Sequence, residues 1–552
     1  MQKYLPGWLQ NNIGLLILLV VSFFIYVPSL SGDFIIDDIP FIRDNPYISD
    51  MSHITRYFTK GVWENSVHEI NNEPLYRPMQ LVPLLLNHAL WGSNPVGYHV
   101  FLLLLHLANT CLVYALIRKL VTGSAMAATI GAAMFALHPA RVESVAWIIG
   151  GIDPLVAFFL LGSMLAHRYF IDSLENKKEW RYLGLSLICF QLALWSKEVA
   201  FIFPLAVVAH DLIYRRKIYW PTVFLHAMIV AGYLIARSLA LNKAGQWSAV
   251  DLSQFPRVID FALGYSEMLA LPTHIPFYIQ PPEHPVSSVL GVVSAMVIVI
   301  LAGFCWRSCD ISKRKDLAFS VVWMVGFFWP ALLLAFYTNG FYAGRYLYIP
   351  SVGVAVFVAV FYDCMKAAYP RLKTLVMAFC ALIVASYGFV TWKEIPAWHD
   401  AGTIYGKIAE VAPENAVGFI GLGYFYFGRG DYVAAEKNFL LALQKAKVLP
   451  MRVESLVVLG TINGINNNLD QSESYLQEAV KLDPKTSEGW SGLGNLAWVR
   501  GRPYEAIPYY EKALSARPNN YEAAMNLAAA YDKTGQSQRG DLMRQQASAM
   551  RH

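Results

Sequence analysis

Eleven apolar runs dominate the first 392 residues of this 552-residue chain, near residues 13–31, 97–117, 124–138, 152–170, 181–196, 199–214, 219–241, 286–306, 317–337, 346–366 and 372–392. Several approach the roughly 20 residues that a helix needs to cross a bilayer, where backbone polar groups must be satisfied within the segment. The runs at 124–138 and 199–214 are short, so tilting, kinking or cover from neighbours is expected there. Composition agrees, with 56% hydrophobic and 15% charged residues against about half and a quarter in soluble chains. A water-soluble globule, a disordered tail, a disulfide-stapled secreted domain and a nucleic-acid binder are excluded. The expected fold is all-α, a polytopic bundle of about eleven spans over residues 1–397 and a soluble tail over 398–552.

Charge distribution orients the bundle. The tail from Trp398 carries 16 basic and 16 acidic residues, so the whole net charge of +5 lies in the apolar part. With the N-terminus inside, 17 of 28 basic residues fall on the cytoplasmic side, from Lys3 and Arg118-Lys119 to Arg371 and Lys373. Of the 23 acids in this part, 16 fall on the other face. Short-loop Lys/Arg bias then places the first loop (32–96) and the tail outside the cytosol. The first run, flanked only by Lys3, reads as an uncleaved signal anchor. All six cysteines lie in spans or on the cytoplasmic side, so no structural disulfide is expected.

The tail repeats with a period of 34: Leu459-Gly460, Ala479 and Pro484 return as Leu493-Gly494, Ala513 and Pro518. An earlier copy holds Leu422-Gly423, Ala435 and Phe439, and a last one Leu527-Ala528, Tyr531 and Ala547. This is the tetratricopeptide pattern of paired antiparallel helices, here four repeats, which stack into an α-solenoid able to grip an extended polypeptide.

The first loop opens Gly32-Asp33-Phe34-Ile35-Ile36-Asp37-Asp38, beside the membrane surface. Adjacent side chains in an extended segment diverge, so the two acids suit different tasks: one facing a reacting group, one holding a loop or a cation. The plainer alternative is an Asx-rich turn leaving a helix. Met51–Gly61 and Met79–Trp91 read as short amphipathic surface helices, the second carrying Asn87 and His88, and Pro74-Leu75-Tyr76-Arg77-Pro78 lies between them. The same outer face collects His138, Arg141, Glu143, Asp153, Lys197, Glu198, Arg237 and Arg345. Any one such charge can snorkel to water. Five cations on the face that the positive-inside trend disfavours suit a lipid phosphate, and carboxylates beside them suit proton removal from a hydroxyl.

In order along the chain, Gly32-Asp33-Phe34, Asp37-Asp38, Asn45-Pro46, Tyr76-Arg77-Pro78, Leu86-Asn87-His88-Ala89-Leu90, Asn94-Pro95, Leu137-His138-Pro139, Glu143-Ser144-Val145-Ala146-Trp147, Ser196-Lys197-Glu198 and Arg345-Tyr346-Leu347-Tyr348-Ile349-Pro350-Ser351 precede the repeats. With these motifs the chain closely resembles the transmembrane and tetratricopeptide repeat O-mannosyltransferases of the GT-C glycosyltransferase class. The resemblance implies a polyprenyl- or dolichyl-phosphate sugar as donor and Ser or Thr of an exported polypeptide, held by the repeats, as acceptor. It implies Asp37 and Asp38 as the catalytic centre, one of them the base, and inversion at the anomeric carbon. Arg345 and Lys197 would hold the leaving phosphate, with Arg77, Arg141 and Arg237 as further candidates. Glu143 would support the base or orient the acceptor, while His138, Asp153, Glu198, Asn87 and His88 would support the site. The chain departs from the animal pattern at Arg141, usually His or Thr, and in Gly150-Gly151-Ile152-Asp153, which lacks the Arg usual before the Asp. No cofactor is firmly implied. Asp37, Asp38, Glu143 and His138 could hold a divalent ion, yet Arg and Lys can supply the same charge, and no metal is expected.

The competing readings are a non-enzymatic scaffold anchored by the bundle and a carrier for lipid-linked sugars. A pure anchor has no use for acids beside the outer face, and a carrier needs polar residues through the midplane, where few occur. The absence of any Asn-x-Ser/Thr sequon and of a C-terminal retention signal favours a bacterial inner membrane, with loop and tail in the periplasm.

Overall fold

The computed structural model describes residues 7–66, 75–121, 124–175, 179–241, 253, 255–272, 285–337 and 343–550. Lys3 and Pro74, named above, and the cytoplasmic cations Lys177 and Lys178 lie outside them. Among the described residues there are helices and turns but no strands. The chain divides into two compact units, Met1–Asp400 and Ala401–His552.

The first unit runs α1 (Gly7–Tyr26), α2 (Pro78–Trp91), α3 (Pro95–Leu120), α4 (Ala125–Ala136), α5 (Ile152–Ser173), α6 (Trp180–Ser196) and α7 (Phe203–Arg215). It continues with α8 (Trp220–Leu241), α9 (Phe255–Ala270), α10 (Pro285–Ser308), α11 (Ile311–Tyr337), α12 (Ser351–Ala368) and α13 (Lys373–Glu394). Eight segments among the described residues are long and apolar enough to cross a membrane. The runs expected to supply three more crossings form α4, α6 and α7, of 12, 17 and 13 residues. At 1.5 Å per residue the shortest extends about 18 Å, well under a hydrocarbon core of roughly 30 Å. Burial sorts the helices. α3, α5 and α12 are mostly enclosed, whereas α1, α10 and α13 turn Ile17, Val299 and Leu382 outward, as a lipid-facing wall requires.

Two expectations for this unit change. Met51–Gly61 is not one helix: only Met51–His53 and Ile54–Tyr57 form helical turns. Cys309 and Cys364 are joined in a disulfide, because the end of α10 meets α12 with the two Cα atoms 5.8 Å apart. α2 forms as expected, with Leu81, Leu84 and Leu85 buried and Leu86, Leu90 and Trp91 outward.

The second unit opens with α14 (Ala401–Val411) and continues as four helix pairs: α15 (Ala416–Gly428) with α16 (Tyr432–Lys445), α17 (Leu449–Ile465) with α18 (Leu469–Leu482), α19 (Ser487–Val499) with α20 (Pro503–Ala516), and α21 (Tyr521–Lys533) with α22 (Ser537–Ala549). The period-34 positions Leu459, Leu493 and Leu527 are all buried, as are Ala479, Ala513 and Ala547. The glycine of the first three repeats is a packing requirement. A Cβ at Gly423, Gly460 or Gly494 would lie 2.6 Å from the side chain of Phe439, Leu476 or Tyr510, which fills that place from the partner helix.

Candidate active site

The acid pair sits where the chain leaves α1. Ile36 adopts φ +51°, a conformation a β-branched residue holds only when its surroundings enforce it, at a cost of about 1–3 kcal/mol. The two carboxyls differ in burial. Asp38 is fully buried, and its two oxygens accept the backbone N–H groups of Ile35 (3.1 Å) and Ile149 (2.9 Å). It therefore fastens the first loop to the loop between α4 and α5, 111 residues away. Burial pushes its carboxyl well above the usual range, against the pull of the N–H donors. Asp37, next to it in sequence, stays half-buried.

Three ion pairs tie the surrounding loops together. Arg345, just before α12, donates through Nη1 to Glu143 Oε1 (2.5 Å) and through its backbone N–H to Oε2 (3.0 Å). Lys197, closing α6, donates to both oxygens of Asp153 at the start of α5 (2.7 and 2.9 Å). Arg77, entering α2, donates to Glu198 through Nη2 (2.7 Å) and Nε (2.8 Å). Burial raises the Glu198 carboxyl, and the adjacent guanidinium more than offsets this, leaving it below its ordinary value. Lys197 Nζ and the Arg345 guanidinium each lie 5.2 Å from the Tyr346 ring, so the pairs form one continuous row. Arg345 also lies 5.2 Å from Trp147, which stacks on Trp398. The tight backbone beside this row explains Gly150, since a Cβ there would meet the Glu143 carbonyl at 2.6 Å.

Arg141 differs from these cations. It is 0% exposed, and its Nε, Nη1 and Nη2 meet no hydrogen-bond acceptor among the described residues. Its guanidinium faces Tyr348 (5.4 Å) and Phe135 (5.7 Å), and burial lowers its pKa to about 10, which still leaves it charged at neutral pH. Beneath it, the Tyr348 hydroxyl bonds His106 Nδ1 (2.8 Å) and accepts from Asn109 (3.2 Å).

Nearby His138 uses both ring nitrogens: Nδ1 accepts from Ala140 N–H, and Nε2 donates to Leu269 O (3.2 Å). With Glu143 on Arg345 and Asp38 on backbone N–H groups, three of the four side chains considered for a divalent ion are held elsewhere. Leu269, Ala270 and Tyr387 form one end of an apolar cavity of about 810 Å³ that runs between α10, α11, α12 and α13. α9 covers Ala140 with Val258, Phe261, Tyr265 and Met268.

The remaining expected residues make other contacts. Asn87 donates to Pro83 O in its own helix, and His88 is half-buried one position further. Arg237 lies half-buried one turn beyond Tyr233, whose hydroxyl donates to Tyr76 O (2.9 Å) next to Arg77. Trp398, read above as the first residue of the tail, packs in this unit, and His399 O accepts from Asp33 N–H (2.8 Å). Tyr346, Tyr348 and Trp147 fall within quoted motifs, but only their contacts reveal that they carry the cations.

A tetratricopeptide repeat family model matches residues 466–521 and 492–539. The protein O-mannosyl-transferase F38B6.6 of Caenorhabditis elegans is 25% identical over 461 residues, covering 79% of this chain and 63% of that protein. The protein O-mannosyl-transferase TMTC3 of Homo sapiens is 22% identical over 561 residues, covering 90% of this chain and 60% of that one. This chain thus spans about three fifths of the length of these relatives. Among solved structures, MamA aligns with 27% of this chain and 84% of its own at 22% identity and a TM-score of 0.24. The homologues of this chain are protein O-mannosyl-transferases of the transmembrane and tetratricopeptide repeat family.

Proposed function

We propose that this protein transfers a sugar, mannose in keeping with its relatives' names, from a polyprenyl-phosphate donor to Ser or Thr hydroxyls of an exported polypeptide. The observation that carries this reading is Arg141, a buried guanidinium with no acceptor among the described residues. An isolated buried cation costs several kcal/mol, so the site is built for an anion that arrives with the substrate. A phosphate suits its fork of N–H donors. The large apolar cavity ending at Leu269, the residue that accepts from His138, suits the isoprenoid tail of the same donor.

Asp37 is the base in this reading, since Asp38 is committed to backbone N–H groups. Asp37 takes the acceptor hydroxyl proton. The hydroxyl oxygen attacks the anomeric carbon, whose bond to the phosphate oxygen breaks, and the electron pair leaves with the lipid phosphate. In-line displacement inverts the anomeric centre. Arg141 meets the charge developing on the leaving group, and Arg345 and Lys197, already balanced by Glu143 and Asp153, complete the field around it. The repeats hold the acceptor chain. The Lys/Arg bias suits an orientation with this chemistry on the outer face, where a lipid-borne donor replaces nucleotide sugars.

The test is transfer by the purified full chain in lipid nanodiscs, with radiolabelled mannosyl-phosphopolyprenol and a Ser/Thr-rich acceptor peptide. Label should move from the lipid donor and not from GDP-mannose. Failure with a panel of polyprenyl-phosphate sugars would sink this reading in favour of a scaffold.

A further inference from the structure

We propose that the bundle holds a second site, for a divalent transition-metal ion of the zinc type, made by His167, His210 and Asp211. It lies far from the acid pair. His167 stands 14 residues beyond Asp153 on α5, about 21 Å along the helix, and His210 and Asp211 occupy the far end of α7.

All three side chains are 0% exposed, and their ligand atoms lie within 4.8 Å of one another. Asp211 Oδ1 is 3.2 Å from His167 Nε2 and 3.3 Å from His210 Nδ1. Those separations are long for a charge-assisted N–H···O⁻ contact, normally about 2.7–2.9 Å. They match the edges of a tetrahedral coordination shell: bonds of about 2.0–2.1 Å to nitrogen and oxygen put neighbouring ligands about 3.3 Å apart. The two rings meet edge to face, centroids 5.2 Å apart at 79°, which aims different ring edges at one carboxylate oxygen.

The carboxylate is held for this role. Its other oxygen accepts Tyr219 N–H (2.9 Å) and is approached by Arg215 (3.9 Å). A second acid balances the charge one side chain away: Tyr214, packed against His210 at 4.9 Å, donates to Asp316 Oδ1 (2.9 Å). Arg168, which lies over Tyr214, is itself paired with Asp172. Two imidazoles and one carboxylate select zinc, cobalt or nickel over magnesium and calcium, which take oxygen shells. A water molecule would complete the tetrahedron. Among the described residues His167 Nδ1 and His210 Nε2 meet no acceptor, and such outer partners raise affinity about 10–100-fold where they occur. The ion is therefore exchangeable and removable by chelator. It ties α5 to α7, the helices that begin at Asp153 and just past Glu198, and so braces the scaffold under two of the three ion pairs. The proposal does not depend on the donor chemistry.

The experiment uses the full chain purified in detergent with a histidine-free affinity tag, stripped with EDTA and reloaded with Zn²⁺ or Co²⁺. After gel filtration the wild type should retain one zinc per chain by elemental analysis, and its thermal unfolding midpoint should rise with zinc and fall with EDTA. Bound Co²⁺ should give the intense visible absorption of a tetrahedral site. His210→Gln and Asp211→Asn should lose the zinc and the shift in midpoint together. Wild type that holds no zinc, shows no cobalt band and melts identically in Zn²⁺ and EDTA would overturn the proposal, leaving a carboxylate bridging two imidazoles. Full zinc retention by both variants would also overturn it.

Discussion

Asp38→Ala removes the acceptor of two buried N–H groups, Ile35 and Ile149, and leaves both without a partner. Each orphaned buried donor costs about 1–3 kcal/mol, so the substitution should cost about 2–6 kcal/mol. Asp38→Asn keeps one acceptor and turns an NH₂ toward the other donor, a loss of about 1–3 kcal/mol. Asp37→Ala, at a half-buried carboxylate, should cost less than either. Thermal unfolding of the detergent-solubilised chain, followed by tryptophan fluorescence, ranks the three. The pH dependence adds a second reading. Burial raises the folded-state pKa of Asp38 above its ordinary 3.8, so the folded state holds that proton more tightly than the unfolded chain. Its contribution is complete below pH 3.8 and is lost as pH rises through the folded value. The gap between wild type and Asp38→Asn should thus narrow from pH 4 upward. An Asp38→Ala protein that melts with the wild type would refute the role assigned to this carboxyl, and a gap that widens with pH would refute the direction of its shift.

Arg141→Gln should raise the melting temperature of the donor-free protein, because an uncompensated buried charge is removed, while weakening donor binding by about 2–5 kcal/mol; equilibrium binding of a polyprenyl phosphate checks the second half. Lys197→Met leaves Asp153 buried without its cation and should lose about 3–5 kcal/mol, largely recovered in Lys197→Met/Asp153→Leu; the same unfolding assay reads both. Gly494→Val drives a Cβ to 2.6 Å from the Tyr510 ring and should destabilise the repeats by about 1–3 kcal/mol, seen as faster proteolysis of the tail, whereas Gly428→Ala meets open space and should be neutral.

The helical repeats were legible because one packing rule recurs every 34 residues: Leu459, Leu493 and Leu527 are all buried, and in the first three repeats a glycine (Gly423, Gly460, Gly494) answers a large partner. The spans were legible as apolar runs, and the two runs short in the sequence, 124–138 and 199–214, form the short helices α4 and α7. Within the site, adjacency suggested different tasks for Asp37 and Asp38. Which one is buried depends on Ile149, a partner 111 residues away that no local pattern names. The same limit hid the pairing of Lys197 with Asp153 and of Arg345 with Glu143, and with it the distinction of Arg141. The disulfide between Cys309 and Cys364 escaped because the compartment argument excluded any pairing and because Cys309, just past α10, meets Cys364 on α12 only in the fold.

Single-turnover transfer from mannosyl-phosphopolyprenol, comparing wild type with Asp37→Asn and reading the anomeric configuration of the product by NMR, tests the central claim most directly. The wild type should yield the configuration opposite to the donor's. Asp37→Asn should bind the donor unchanged yet transfer about 10²–10⁴-fold more slowly, the usual contribution of a general base. Retention of configuration, or transfer by Asp37→Asn at the wild-type rate, would contradict the account.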